Sequence, residues 1–158
     1  MIEDPPLMTI GRNFTRPTAD QVDAFQGVPC GFVVDAMQGR GALDYRIKPI
    51  SNDHAVFAGV AVTCDNGPAD NLAAFCAIEV AAPGDVILAA ADGFTETAVS
   101  GDLMLGMARN KGVAAFVTDG LVRDIEGIIE VGMPCFAMGV TPNSPVRSGP
   151  GTVGTPIV

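Results

Sequence analysis

Apolar residues along the chain follow two patterns, a helical spacing in some segments and short β-branched runs in others. The β-branched runs predict buried strands, and the helical spacing predicts helices between them. The predicted strands are 45–50, 55–64, 85–91, 113–118 and 134–139, and the predicted helices are 31–37, 69–82, 125–131, one that opens at Thr18 and one that starts at Asp102. Because strands alternate with helices, we expect an α/β fold with a partly parallel sheet flanked by helices.

The N-terminal segment differs from the rest of the chain. Residues 1–17 show neither the helical spacing nor a β-branched run, and prolines interrupt them, so we interpret them as an extended arm. A capping box, in which Thr18 is followed three residues later by Gln21, opens the first helix. The remaining chain, 18–158, contains no internal repeat or linker, and its length suits a single domain with a buried core.

The segment from Gly101 to Asp124 carries the strongest candidate chemistry. Asp102 and Arg123 are separated by 20 residues, 103–122, which is enough for a helix, a Gly turn and a strand. This arrangement places Asp102 at a helix N-terminus, beside the end of the strand. Amides at a helix N-terminus and the fork of an arginine bind anions, whereas two nearby carboxylates suit Mg²⁺ or Mn²⁺. The spacing therefore predicts an anion pocket beside a metal ion.

Each residue of this motif also has a purely structural interpretation. Asp124 would act as the N-cap of the following helix. Asp102 would complement the dipole of its own helix as a first-turn acid. Arg123 would form a surface pair with Glu126, three residues further along the chain.

The motif and its flanks carry a family resemblance. Together with the Pro-Gly-Asp-Val sequence at 83–86 and the Gly-Met-Pro-Cys-Phe-Ala-Met-Gly sequence at 132–139, it resembles the 4-hydroxy-4-methyl-2-oxoglutarate aldolases, a family that includes the regulator of ribonuclease E activity A. The likeness runs from about Thr18 to the last residue. It implies a three-layer β/β/α sandwich of the swivelling-domain type, whose second sheet is formed by the first strand region and the C-terminal part. Family members continue with a further β-hairpin, so we expect the domain, 18–158, to lack that C-terminal hairpin.

The resemblance also implies roles for the residues of the motif. Arg123 and Asp102 are the expected catalytic residues, since Arg123 would bind the substrate carboxylate and Asp102 would hold a water molecule on the metal. Asp124 is the expected ligand of the divalent cation, Mg²⁺ or Mn²⁺. The expected substrate-binding groups besides Arg123 are the residues of one helix N-terminus: Gly101, Asp102, Leu103 and Met104. Because the family assembles as trimers or hexamers with sites at the subunit boundary, we expect a homotrimer or a multiple of it.

The predicted reaction is class II, metal-dependent cleavage of a pyruvate aldol. A Schiff-base aldolase needs a desolvated lysine, but Lys48 precedes Pro49 and Lys111 follows a helix, and these are the only two lysines. A divalent cation would instead stabilise the pyruvate enolate as 4-hydroxy-4-methyl-2-oxoglutarate, or a related 4-hydroxy-2-oxo diacid, is cleaved. Oxaloacetate decarboxylation passes through the same enolate and is the expected side activity. The alternative is a non-catalytic regulator that binds a ribonuclease or another protein partner.

Composition and charge exclude several other classes. Hydrophobic residues make up 48% of the chain and charged residues 17%, which excludes a disordered protein. The net charge of −9 argues against direct binding of nucleic acid, because phosphate binding needs clustered Lys and Arg. Acidic residues stand where a signal peptide carries basic ones, and no apolar run has the length of a membrane span, so we expect a cytoplasmic protein without membrane contact.

Cysteine and histidine give no further catalytic signal. The four cysteines lack metal or redox spacing, and we interpret them as small buried hydrophobic residues. The only histidine, His54, is interpreted as a solvated loop residue, which disfavours a Ser/His/Asp hydrolase. Methyl transfer from S-adenosylmethionine is disfavoured because no Gly-rich loop follows a first strand.

Overall fold

Two β-sheets and five helices make up the part of the chain that this computed structural model describes, residues 3–4 and 6–158. The helices are α1 (Ala19–Asp23), α2 (Cys30–Ala36), α3 (Leu72–Val80), α4 (Asp102–Asn110) and α5 (Ile125–Val131). The strands are β1 (Met8–Ile10), β2 (Lys48–Pro49), β3 (Ala61–Asp65), β4 (Val86–Ala90), β5 (Ala98–Ser100), β6 (Ala115–Thr118), β7 (Leu121–Val122), β8 (Cys135–Ala137), β9 (Gly139–Val140) and β10 (Gly151–Val153). Within the described residues, no helix has the length and apolar character needed to cross a membrane.

The larger sheet contains seven strands in the order β1-β10-β3-β4-β6-β8-β2. Its central strands β3, β4, β6 and β8 are parallel, while β10 and β2 pair antiparallel with β3 and β8. The smaller sheet contains three parallel strands in the order β5-β7-β9. These sheets confirm the predicted α/β class with a partly parallel sheet.

The strands of the smaller sheet come from a different part of the chain than the resemblance implied. The first predicted strand, now β2, and the C-terminal strand β10 belong to the larger sheet, so the prediction is wrong for both, and from the later part of the chain only β9 joins β5 and β7 among the described strands. Instead β4, β6 and β8 each continue after a short connection into β5, β7 and β9. The order of three neighbouring strands in the larger sheet is therefore repeated in the smaller one.

Small side chains let α3 pack closely on the larger sheet. Ala73, Ala74 and Ala77 are fully buried and belong to the same core cluster as Val62 and Ile87 of the sheet. Because alanine extends only one carbon from the backbone, the helix can lie close to β3, β4 and β10, which it contacts. This packing fixes the start of α3 relative to the strands.

Two predicted strands are shorter in the structure. The strand predicted over 55–64 begins only at Ala61, and the one predicted over 45–50 is reduced to β2 at the edge of the sheet. Before β3, Gly59 lies so close to the carbonyl oxygen of Gly84 that a Cβ on Gly59 would collide with it. This close approach of the two backbones lies just before the point where regular strand pairing begins.

The N-terminal segment lies against the rest of the chain at two points. Strand β1, within the segment interpreted as an extended arm, pairs parallel with β10. Arg16 forms an ion pair with the buried carboxylate of Asp85. The predicted capping box is confirmed, since the Thr18 hydroxyl accepts a hydrogen bond from the Gln21 amide at 3.3 Å and the Gln21 side chain accepts one from the Thr18 amide at 2.9 Å.

Asp70 joins the start of α3 to the loop before β10. One carboxylate oxygen accepts a hydrogen bond from Leu72 N at 2.8 Å. The other accepts hydrogen bonds from Ser148 N at 2.7 Å and Gly149 N at 3.0 Å. Burial raises the pKa of Asp70, but these hydrogen bonds together outweigh burial and leave the pKa lowered. The ionised carboxylate therefore holds the segment 144–149 against α3.

Candidate functional site

The N-termini of α4 and α5 meet at two glycines. A Cβ on Gly101 would lie 2.8 Å from Asp124 Oδ2 and 3.0 Å from Arg123 Cγ. A Cβ on Gly127 would lie 2.6 Å from the Cβ of Asp102. The structure thus brings the four charged and glycine positions of the motif together, with Arg123 directly after β7 rather than after the longer strand β6.

Arg123 is held from two sides. Its Nε lies 3.2 Å from Asp124 Oδ2, and its Nη1 donates to the hydroxyl of Ser144 at 2.6 Å. Its backbone amide donates to the carbonyl of Ser100 at 3.0 Å. The partners of this guanidinium are therefore Asp124 and Ser144, rather than Glu126 as in the surface-pair alternative.

Asp124 adopts a strained backbone conformation. Its φ of 59° and ψ of 51° lie in the left-handed region, which costs most non-glycine residues about 1–2 kcal/mol and which aspartate adopts more readily than most. It occupies the N-cap position of α5, yet its side chain makes no capping hydrogen bond and turns to Arg123 instead. Helix capping therefore does not account for the aspartate, and strain of this kind is concentrated at functional sites.

The first turn of α4 presents backbone amides before its hydrogen bonds begin. Leu105 N donates the first helical bond, to the carbonyl of Gly101 at 3.1 Å. The amides of residues 101–104 precede that bond and are donors of the type that binds anions. Asp102 is partly buried, and its Oδ1 accepts from Leu103 N at 2.7 Å. Gly101 provides no side-chain cap, so the helix end stays open to a ligand.

A cavity of about 220 Å³ lies over this helix end. Its walls are the start of α3, the end of β5, the first turns of α4, Arg123 and the loop 144–147. The volume is smaller than that of a typical drug-binding pocket, about 300–1,000 Å³, and suits a small organic acid.

The sequence reasoning missed several residues of the cavity, of which three carry polar or aromatic groups from distant parts of the chain. Asn71 and Phe75 belong to the start of α3, and Arg147 comes from the Pro- and Gly-rich segment after the last predicted strand. The guanidinium carbon of Arg147 lies 4.4 Å from the centre of the Phe75 ring, a cation–π contact. No periodicity or motif marked these positions, because only the fold brings the loop 144–147 beside α3.

The charge of the cavity differs from that of the whole protein. Arg123, Arg147 and one carboxylate, that of Asp102, line it, whereas the chain carries a net charge of −9. The two guanidinium groups outnumber this carboxylate, and with the helix N-terminus they form a local positive site that can attract an anion despite the overall repulsion.

The donor set of the site fits a hard cation with few protein ligands. Within 3–4 and 6–158, no group of three or more His, Cys, Asp and Glu side chains could enclose a metal ion. Asp102 and Asp124 supply carboxylate oxygens at the meeting point of α4 and α5. Mg²⁺ is commonly bound by one or two carboxylates, with water and substrate completing its shell. Residues of these types fit Mg²⁺ or Mn²⁺ better than zinc, which prefers histidine and thiolate.

The lysines and the histidine lie outside the cavity. Lys48 and Lys111 are exposed, and Lys111 Nζ lies 3.7 Å from Glu79 Oε2. His54 belongs to a 3-10 turn and is partly buried, so it is less solvated than expected.

The cysteines are not all buried as predicted. Cys64 and Cys135 are buried, which raises the pKa of each thiol to about 12 and keeps it protonated. Cys76 is partly buried, and Cys30 is exposed because it begins α2, a helix without buried residues in this chain. The interpretation as a buried hydrophobic residue is therefore wrong for Cys30.

Comparison with known proteins connects this site to a family. The family model described as RraA-like (Aldolase/RraA) matches residues 18–158. A protein of Halalkalibacterium halodurans with the name "Putative 4-hydroxy-4-methyl-2-oxoglutarate aldolase" is 38% identical over 139 residues. That alignment covers 87% of this chain and 65% of the relative, so the chain spans slightly less than two thirds of the relative's length.

Two solved structures share the fold. The RNA-processing inhibitor RraA from Thermus thermophilis has a TM-score of 0.74 and 28% identity, and the match covers 82% of this chain and 78% of that one. Streptomyces coelicolor RraAS2, described as an unusual member of the RNase ES inhibitor RraA protein family, has a TM-score of 0.72 and 25% identity. That second match covers 87% of this chain and 72% of the other.

Gly127 and Gly106 allow a matched test of the contact between α4 and α5, because both lie inside helices. A Cβ on Gly106 would meet Val131 at 3.9 Å, so Gly106→Ala should stabilise the fold by about 0.4–1 kcal/mol. Gly127→Ala would overlap Asp102 and should destabilise the fold by about 1–3 kcal/mol. Urea unfolding measures both values, and equal stabilisation by the two substitutions would contradict the described contact.

Proposed function

The chain belongs to the RraA-like family (Aldolase/RraA), and from this premise we propose that it is a divalent-metal-dependent lyase that cleaves a 4-hydroxy-2-oxo diacid to pyruvate. The substrate proposed is 4-hydroxy-4-methyl-2-oxoglutarate or a close relative, with oxaloacetate decarboxylation as a side activity. The relative from Halalkalibacterium halodurans bears the name of such an aldolase, which supports the reaction class. The observation that carries the proposal is the position of Asp124. Its backbone is left-handed, its side chain makes no capping hydrogen bond, and it pairs with Arg123 beside the uncapped N-terminus of α4.

Arg123 and the first turn of α4 would bind the 2-oxo acid end of the substrate. The guanidinium is fixed by Asp124 and Ser144, so its planar fork is oriented before a carboxylate arrives. Among the amides of residues 101–104, those of Gly101, Asp102 and Met104 would donate to the carboxylate or the keto oxygen, where negative charge develops as the enolate forms, while the Leu103 amide donates to Asp102. Binding at two donor sets would hold the C3–C4 bond in a fixed orientation.

The two aspartates would have different tasks. Asp124 would hold a divalent cation, which when bound supplies Lewis-acid stabilisation of the developing enolate. One carboxylate oxygen of Asp102 accepts a hydrogen bond from the Leu103 amide. We propose that its second oxygen holds a water molecule near the reacting carbons. Such a water would exchange protons with the substrate during bond cleavage.

The positions of the lysines support this mechanism over imine formation. A nucleophilic lysine must lose its proton through desolvation or a neighbouring cation. Lys48 and Lys111 are exposed and do not line the cavity, and Lys111 Nζ lies 3.7 Å from Glu79 Oε2 rather than beside a second cation. We therefore propose that pyruvate forms through an enolate and not through an imine with a lysine.

A second candidate function is the non-catalytic regulation of a protein partner such as a ribonuclease. It is favoured by the likeness to two structures whose names describe inhibitors of RNA processing or of RNase ES. The aldolase would turn over a 2-oxo acid and would need Arg123 to do so, whereas a non-catalytic regulator would turn over none.

We propose a homotrimer, or a hexamer built from trimers, as the assembly. Leu103 and Met107 line the cavity but are 77% and 50% exposed. Exposed apolar side chains beside a site are typical of an interface. A neighbouring copy would cover them and complete the site. Light scattering should give the mass of a trimer or hexamer, whereas a monomer with full activity at low concentration would refute this assembly.

Metal dependence is the first test of the proposed reaction. Purified protein should release pyruvate from 4-hydroxy-4-methyl-2-oxoglutarate and from oxaloacetate with Mg²⁺ or Mn²⁺, and a chelator should stop the release. Because free metal also promotes oxaloacetate decarboxylation, Asp124→Asn with the same metal is the control. Borohydride trapping of a substrate adduct on Lys48 or Lys111 would overturn the mechanism.

Arg123→Lys tests the role of the guanidinium. Lysine keeps the charge but loses the planar fork, so kcat/KM should fall about 5- to 150-fold, which corresponds to about 1–3 kcal/mol of transition-state stabilisation. Arg12→Lys, at an exposed position outside the cavity, is the matched control and should keep the wild-type value. An unchanged kcat/KM in Arg123→Lys would exclude this role.

A further inference from the structure

Asn71 has a buried acceptor without a partner. The residue is 4% exposed and lines the cavity. Its Nδ2 donates to the carbonyl of Val99 at 2.9 Å, and Oδ1 has no hydrogen-bond partner among the residues described. The orientation of the amide is fixed, because the Val99 carbonyl can only accept. An unpartnered buried acceptor costs free energy, so its retention in a cavity wall points to a ligand that donates to it.

Arg147 presents a cation that is fixed in place. The backbone before it is fixed by two hydrogen bonds of Val146. The Val146 amide donates to the Ala69 carbonyl at 2.8 Å, and the Val146 carbonyl accepts from the Asn71 amide at 3.1 Å. The backbone after it is held by Asp70 through Ser148 N. The guanidinium stacks on Phe75, and no carboxylate in the described part of the chain lies within 4.0 Å of it.

The two arginines approach the cavity from different walls. Arg123 is held against α5 and Ser144, whereas Arg147 is held against the face of α3. Asn71 is tied to Val99, two residues before Gly101, and so stands on the wall that joins α3 to the start of α4. A ligand bound to Arg123 at one end would meet Asn71 and Arg147 with its remaining atoms.

We propose that Asn71, Phe75 and Arg147 form a distal subsite that recognises a hydroxyl group and a second carboxylate on the substrate. Asn71 Oδ1 would accept from the hydroxyl, and the guanidinium stacked on Phe75 would donate to the carboxylate. This assignment rests on the proposed function for the identity of the proximal 2-oxo acid end. It makes Arg147 the residue that selects diacids over monoacids, and Asn71 the residue that selects a hydroxylated substrate.

The carboxylate part of the subsite can be tested by binding without turnover. The probes are 2-oxoglutarate and 2-oxopentanoate, which share a five-carbon chain and differ in the distal carboxylate, and neither carries the hydroxyl group needed for aldol cleavage. With Mg²⁺ present, calorimetry should show that the wild type binds 2-oxoglutarate about tenfold more tightly, the effect of one charged hydrogen bond. Arg147→Gln should remove that preference, and Arg147→Lys should restore part of it.

Arg12→Gln is the matched control, because it makes the same change of charge on the same acidic protein at an exposed position outside the cavity. It should keep the preference for the diacid. A preference that persists in Arg147→Gln, or that is lost equally in Arg12→Gln, would overturn the role of Arg147.

The hydroxyl part is tested by comparing two reactions of the same site. Asn71→Ala should lower kcat/KM for 4-hydroxy-2-oxoglutarate at least about tenfold more than for oxaloacetate, which has no hydroxyl group. If Asn71→Ala unfolds, Asn71→Ser keeps a small polar group and should show the same difference in reduced form. An equal loss for both substrates would contradict the assignment of Asn71.

The outcomes separate this subsite from the proposed function. A wild type that cleaves no 2-oxo acid, yet prefers 2-oxoglutarate through Arg147, would refute the aldolase and support the subsite. A wild type that cleaves its substrate but shows no preference for the diacid would support the aldolase and refute the subsite.

Discussion

The site depends on how closely the N-termini of α4 and α5 approach each other, and this approach requires two residues without a Cβ. Gly101 makes room for Arg123 and Asp124, and Gly127 makes room for Asp102. Because overlap at these points would push the helices apart, any larger residue would separate the two aspartates from the amides of α4. Asp124 lies at this contact in a left-handed conformation, between the end of β7 and the start of α5.

The electrostatics of the cavity follow from that packing. An acidic protein repels an anionic substrate at long range, and the attraction must therefore come from groups concentrated at one point. Arg123, Arg147 and the N-terminus of α4 are brought to the same cavity by three separate parts of the chain. The buried carboxylate of Asp70 supports this arrangement indirectly, because it fixes the loop that carries Arg147. The hydrogen bonds from Ser148 and Gly149 to Asp70 thereby help to position the guanidinium of Arg147 in the cavity.

The sequence was sufficient for the long elements and for the central motif, because strongly apolar runs and the spacing from Asp102 to Arg123 depend on local rules. The strands β5, β7, β9 and β10 have two or three residues each, which is too short to show periodicity. They were therefore not predicted, and the second sheet was assigned from the family resemblance instead. Asn71 and Arg147 could not be found either, since the first is recognised by a missing hydrogen bond and the second by its stacking on Phe75.

Exchange of the methyl protons of pyruvate for deuterium, followed by NMR, tests the central claim most directly, because it reports enolate formation whatever the natural substrate is. With Mg²⁺ or Mn²⁺, the protein should exchange these protons well above the rate of metal in buffer, a chelator should abolish the exchange, and Arg123→Lys should decrease it strongly. Exchange no faster than that of metal in buffer would contradict the claim that Arg123, Asp124 and the N-terminus of α4 form an enolate-stabilising site.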